Sequence, residues 1–127
     1  DHVVFACHSD QALRILRDPT TTETELLQAI PYQRNTAILH TDASLMPSRR
    51  RAWASWNYRL DARSADQACV TYWMNGLQSL PAKQQFFVSL NAEPYVDPAK
   101  IIDKFTYEHP IFTTERARVQ RRHHELI

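Results

Sequence analysis

Only one glycine, Gly76, occurs in 127 residues, where average usage of about 7% would give roughly nine. Glycine reaches left-handed backbone angles and allows close backbone approach at no steric cost. A chain that nearly lacks it must turn on proline and polar clusters, and seven prolines are present. Nor can it cradle a phosphate by close backbone approach, so it carries neither a P-loop nor a dinucleotide-binding fingerprint of its own.

The chain is organised around Arg51–Leu80, which holds all three tryptophans. Read with period 2, Trp56, Tyr58 and Leu60 fall on one strand face and Trp53, Ser55, Asn57 and Arg59 on the other. The next run repeats the scheme, with Val70, Tyr72 and Met74 against Thr71, Trp73 and Asn75, and the linker Asp61–Asp66 suits a loose hairpin. Gln85–Leu90 alternates again, Phe86, Val88 and Leu90 against Phe87, Ser89 and Asn91. A solvated sheet face would carry Lys, Glu or Thr. A face of Trp, Asn and Ser is expected to be covered by something.

Around this block, His2–Cys7 reads as a short buried strand, followed by a helix from an N-cap at Ser9 through Arg17 with Ala12, Leu13 and Leu16 inward. Thr22 and Glu25 have capping-box spacing for a second helix that Pro31 stops. Asn35–His40, Ala52–Leu60, Gln67–Asn75 and Gln85–Leu90 are most simply a four-stranded antiparallel meander, and Ile101–Tyr107 is a further strand. A basic helix runs from Thr113 or Thr114 to the end. The expected fold is one α+β domain over residues 1–127. Its antiparallel or mixed sheet has about five to six strands, with helices mainly on one face.

Net charge is +1 and no run approaches 18 apolar residues, which excludes strong electrostatic steering and a membrane-spanning helix. Cys7 and Cys69 sit in strand-like runs and read as buried reduced thiols of a cytoplasmic protein, with a single disulfide as the alternative. His2, His8, His40, His109, His123 and His124 show no metal-ligand spacing, so no metal is expected. Arginines of the last helix are interleaved with Glu115 and Glu125, which favours a solvated helix over a nucleic-acid surface. Arg49–Arg51 reads as a solvated corner, with an anion contact as the sharper alternative. Position 1 is not Met and the last helix carries no cap, which together read as a segment of a longer chain.

The opening DHVVFACHSDQAL, with ILHTDASLMPSRRRAWASWNYRL, VTYWMNGLQSL, FFVSLN and FTYEHPIF, resembles the flavin-containing amine oxidase superfamily. The resemblance is narrowest to bacterial NAD/FAD-binding, amine-oxidase-like proteins and covers essentially the whole chain. It implies the substrate-domain portion of a FAD-dependent oxidoreductase that passes a hydride from substrate to flavin. FAD would be held by the parent protein and not by this segment, which would be inactive alone. Residues 1–18 would abut the missing FAD-binding domain, with Ala6 and Cys7 nearest the cofactor. Trp53, Trp56, Asn57, Tyr72, Trp73 and Asn75 would line the substrate cavity, either sheet face being the one that meets the flavin. Implied partners are that FAD-binding domain and a small-molecule substrate, with a homodimer of the segment through its exposed surfaces. The alternative is a stand-alone small-ligand-binding or dimerisation module that uses the uncharged aromatic face.

Overall fold

The computed structural model describes residues 2–60 and 69–126. The expected hairpin linker Asp61–Asp66, with Gln67 and Ala68, lies outside the described residues. The fold is α+β, and its strands form one antiparallel sheet: β1 Tyr32–His40, β2 Trp56–Arg59, β3 Cys69–Trp73, β4 Phe87–Leu90 and β5 Ile101–Pro110. Among the described residues the α-helices are α1 Ser9–Ile15, α2 Thr21–Gln28, α3 Met74–Leu77 and α4 Thr114–Gln120. The chain forms two compact units, Asp1–Gln33 with Glu108–Ile127, and Arg34–Tyr107.

In the Arg34–Tyr107 unit the strand order is β2-β3-β4-β1, and β5 follows β1. This corrects the expected meander, because β1 lies beside β4 and not beside β2. Three consecutive antiparallel strands with a fourth returned beside them make a Greek key. The reason is local. The chain leaves β1 through no tight hairpin but through a long connection with two 3-10 turns, Ala43–Leu45 and Arg50–Ala52. Leu45 of that connection joins Ile38, Cys69, Ala92 and Val96 in one buried cluster, with Tyr95 and Ile101 packed against it.

Register aligns the alternating residues across the sheet. Ile38 lies opposite Ser89, Ser89 opposite Thr71 and Thr71 opposite Asn57. His40 lies opposite Phe87, and Phe87 opposite Trp73. This face, polar by sequence, is the inside: Ile38, His40, Thr71, Phe87 and Ser89 are all buried. Burying a side chain such as Phe87 is worth about 1.5–3 kcal/mol, against a net ~0.5–1.5 kcal/mol for each hydrogen bond of the polar row. The apolar members drive the burial. The opposite face carries Leu39, Val88, Tyr72 and Trp56 in one row, and Ala37, Leu90, Val70 and Tyr58 in the next. Its outer members Trp56 and Tyr58 are 53% and 48% exposed.

Strand ends also differ from expectation. Trp53 belongs to the connection before β2, and Asn75 to α3 after β3. Gly76 sits in α3 because the Trp73 ring lies over it: a Cβ there would stand 2.5 Å from Trp73 Cε3. Two other residues, Ser79 and Asn91, take positive φ angles of 52° and 54° where a chain richer in glycine would use it.

In the other unit, α1 and α2 pack together, with Ala12 and Leu26 buried. The caps shift from expectation. His8 and not Ser9 precedes α1, its N–H donating to Gln11 Oε1 at 3.2 Å. Thr20 caps α2: the Glu23 N–H donates to Thr20 Oγ1 at 3.1 Å, and the Thr20 N–H to Glu23 Oε2 at 2.7 Å. Pro19 precedes this pair and sets the cap two residues earlier than the Thr22–Glu25 spacing suggested. Helix α4 is a solvated helix whose arginines have local partners. Arg118 pairs with Glu115 at 3.3 Å, and the Arg116 guanidinium lies 3.9 Å from the Phe112 ring. Just past the helix, Arg122 bridges Glu25 of α2 at 2.6 Å and Glu125 at 2.7 Å.

Residues His2–Cys7 correct a further expectation, for they form no strand and are exposed. Val3 and Val4 are 80% and 87% exposed. The residues are apolar and β-branched as a buried strand requires, yet they pair with no strand among the described residues. Cys7 is therefore an exposed thiol and only Cys69 is buried.

Substituting Gly76→Ala should destabilise the fold by about 1–3 kcal/mol, because the Trp73 ring must move from its packed position. The ~1 kcal/mol that alanine adds in helix propensity does not offset the larger losses in that range. Urea unfolding measures this, and a variant as stable as the wild type would contradict the packing described.

Candidate functional site

Six residues were expected to share a substrate wall, and the structure divides them. Trp53 and Trp73 meet edge to face, ring centroids 5.6 Å apart, and Trp53 meets Phe87 at the same distance. The Arg50 guanidinium stacks over both indoles, 3.8 Å from the Trp53 ring and 4.6 Å from the Trp73 ring. Arg50 Nη2 and Trp73 Nε1 each donate to Gln85 Oε1 at 2.8 Å. Trp53 Nε1 donates to the Pro47 carbonyl at 2.8 Å. Of the basic run Arg49–Arg51, the middle residue is thus held by aromatic faces and an amide. What covers the polar-aromatic face here is the chain's own connection.

The asparagines are equally occupied. Asn57 Nδ2 donates to the Ala54 carbonyl at 2.7 Å, and its Oδ1 accepts the Ala54 N–H at 3.2 Å. Asn75 Nδ2 donates to the Gln84 carbonyl at 2.9 Å, and its Oδ1 accepts the Phe86 N–H at 2.8 Å. Asn91, next in the alternating series, bonds Thr36 and Asn35. Each closes a bend of backbone. Trp56 and Tyr72 lie on the opposite face, cross-strand neighbours in register. Trp56 stacks on Tyr58 with centroids 6.1 Å apart. The structure therefore brings Trp53 and Trp73 together, puts Asn57 and Asn75 into backbone closure, and leaves Trp56 exposed and Tyr72 half-buried on the opposite face.

A buried polar chain went unnoticed in the sequence. His40 Nε2 lies 2.9 Å from Ser89 Oγ, and Ser89 Oγ lies 2.7 Å from Thr71 Oγ1. The Asp42 N–H donates to His40 Nδ1 at 3.1 Å, so Nδ1 is the acceptor and Nε2 carries the proton. A catalytic histidine must accept the proton of its serine. Here the imidazole donates to Ser89, which is fully buried. The chain Asp42, His40, Ser89 is structural and not a hydrolytic triad. The signal was present, since period 2 puts Ser89 on the covered face. A meander, however, sets β1 beside β2 and keeps His40 away from β4.

In the Asp1–Gln33 and Glu108–Ile127 unit, a cavity of about 910 Å³ is lined by Val3, Phe5, Leu16, Leu27 and Ile30, among others. Cys7 also lines it, and Ala6 is exposed beside it. Tyr32 forms part of the wall, its Oη accepting the Ser9 N–H at 2.8 Å and its ring stacked on His8 at 4.5 Å. These residues do not fit a dinucleotide: there is no glycine turn and no cationic side chain aimed at a pyrophosphate. Among the described residues no group of three or more His, Cys, Asp or Glu could hold a metal ion, and no helix is long and apolar enough to cross a membrane. No family model and no curated protein matches this chain.

Burial holds the His40 imidazole below its ordinary value of 6.5, partly opposed by the charge of Asp42. Burial would raise the Asp42 carboxyl, but the N–H groups of Asp97 and Ser44 and the Lys100 ammonium outweigh it and hold it at about 2. Both folded groups therefore bind protons more weakly than their unfolded counterparts. Stability is full above the unfolded histidine value of 6.5 and falls as pH drops below it. A second loss sets in as pH drops from the ordinary carboxyl value of 3.8 toward 2. Urea midpoints across this range should fall toward acid, and His40→Gln should flatten the first step. A wild-type midpoint unchanged from pH 8 to pH 5 would contradict this.

Proposed function

We propose that this chain is the substrate-domain portion of a FAD-dependent, amine-oxidase-like oxidoreductase. The observation that carries the reading is the outer face of the sheet. Leu39, Val88, Tyr72 and Trp56 with Ala37, Leu90, Val70 and Tyr58 form a face without one charged residue, and its aromatic edge is open. Ala37 and Val70 of this face are already buried, while Trp56 and Tyr58 are not. Antiparallel faces that meet water are polar, so this aromatic edge is what another part of the protein would cover, with its substrate. The sequence resemblance supplies the identity of that part, a flavin-binding domain. The apolar His2–Cys7 segment beside the 910 Å³ cavity supports the same docking at residues 1–18.

Within this reading the flavin would accept the hydride, and it is held elsewhere in a longer protein. This chain contributes orientation. Trp56, Tyr58 and Tyr72 offer a flat apolar wall, and with no carboxylate, histidine or lysine among them they position a substrate without taking its proton. The wall is thereby assigned to Trp56 and Tyr72, not to Trp53 and Trp73. A binding module that uses the Trp53 and Trp73 face is disfavoured because the connection from β1 to β2 already fills it. The reading places the protein in the cytoplasm, which suits its two free cysteines.

Flavin content tests this. The purified product of the complete reading frame should carry flavin in about one-to-one ratio, and the 127-residue chain alone should be colourless. A complete product without flavin, or a yellow preparation of this chain alone, would overturn the reading.

A further inference from the structure

His40 makes two hydrogen bonds that respond oppositely to a proton. Its imidazole is fully buried at the end of β1. Nε2–H donates across the sheet to Ser89 of β4 at 2.9 Å, and Nδ1 accepts the Asp42 N–H from the connection at 3.1 Å. An imidazolium is a donor at both nitrogens. The bond to β4 therefore survives protonation, while the bond to the connection becomes two N–H groups facing each other. Asp42 is where that connection is pinned: its carboxylate binds the Ser44 and Asp97 N–H groups and the Lys100 ammonium. Just before it, the Thr41 N–H bonds the Lys100 carbonyl at 3.0 Å without involving the imidazole. The chain can thus turn at Asp42 while β1 stays in its ladder. Ring contacts carry the effect onward, since His40 and Trp53 both pack on Phe87, with centroids 5.5 Å and 5.6 Å away.

We infer that His40 is an acid-sensitive latch: its protonation releases residues 42–55 from the inner sheet face and uncovers Trp53 and Trp73, while β2, β3, β4 and β1 stay paired. The neighbours of the imidazole fix the direction. From β3 and β4 it meets Thr71, Ser89 and Phe87, which carry no charge. Asp42 is the charge that faces the ring, and it favours the imidazolium. Asp97 and Lys100 reach the ring through the Asp42 carboxylate, and Arg50 through Trp53 and Phe87. Burial outweighs the Asp42 charge, so the closed form binds the proton more weakly than the solvated imidazole of an open one. Opening is therefore rare well above pH 6.5 and rises below it, by up to about thirty-fold at pH 5. Leu45 in the core cluster and Arg50 on Gln85 still hold the connection, so the open form stays a minority.

This latch is independent of the flavin reading and is tested on the 127-residue chain by native-state hydrogen exchange. The Asp42, Ser44 and Asp97 amides, all bonded at the latch, should share one opening. It should be at least about ten-fold more frequent than that of the β3–β4 ladder amides. Low urea should leave it unchanged, because little surface is exposed compared with global unfolding. From pH 8 to pH 5, after correction for the intrinsic exchange rate, the opening should rise about five- to thirty-fold. His40→Gln, which cannot take the proton, should remove that rise. The wild-type readings decide the inference even where His40→Gln fails to fold. Equal protection of the two groups of amides, an opening that does not change with pH, or a rise that persists in His40→Gln would overturn it.

Discussion

Asp42 is a nearly fully buried carboxylate just past the end of β1, and it collects donors from across the Arg34–Tyr107 unit. Ser44 N–H binds one oxygen at 3.0 Å, Asp97 N–H binds the other at 2.9 Å, and the Lys100 ammonium stands 3.2 Å away. A buried charge is costly unless satisfied in this way. The arrangement ties the chain leaving β1 to the segment that enters β5, and its own N–H sets the tautomer of His40. Once that anchor holds, the connection must cross the inner sheet face, bringing Leu45 into the core and Trp53 onto Trp73 and Phe87. Greek-key order, buried polar row and closed aromatic face all follow from where the connection is pinned.

That dependence explains what the sequence disclosed. Alternation was legible, and every face assignment in β3 and β4 agrees with the observed register. Fold class and the β5 strand were legible as well, because they depend on local period and composition. Strand neighbours were not, because nothing in Asn35–His40 says that its partner is Phe87–Leu90 rather than Trp56–Arg59. His2–Cys7 misled for a related reason. Its residues satisfy the pattern of a buried strand, but burial depends on a partner that period alone does not supply.

The asparagines carry the more general lesson. Asn57, Asn75 and Asn91 recur at alternating positions and suggested a polar wall. Their amides instead close backbone at Ala54, at Gln84 and Phe86, and at Thr36. In a chain with one glycine, side-chain amides take over loop closure, and Asn91 also takes the left-handed angle itself. The chain has only four asparagines, and Asn57, Asn75 and Asn91 are all used to close backbone. Reading them together moves the proposed substrate wall from the Trp53 and Trp73 face to the outer face with Trp56, Tyr58 and Tyr72.

The central claim is that the chain closes its own polar-aromatic face and leaves open the aromatic edge of the apolar one, Trp56 and Tyr58. Exchange of the three indole N–H protons with deuterium, followed by NMR, tests it directly. The Trp53 and Trp73 protons, bonded to the Pro47 carbonyl and to Gln85, should exchange slowly. That of the half-exposed Trp56 should exchange at close to the free rate. Equal, fast exchange at all three would contradict the account, because the face assigned to the interior would then be open to solvent.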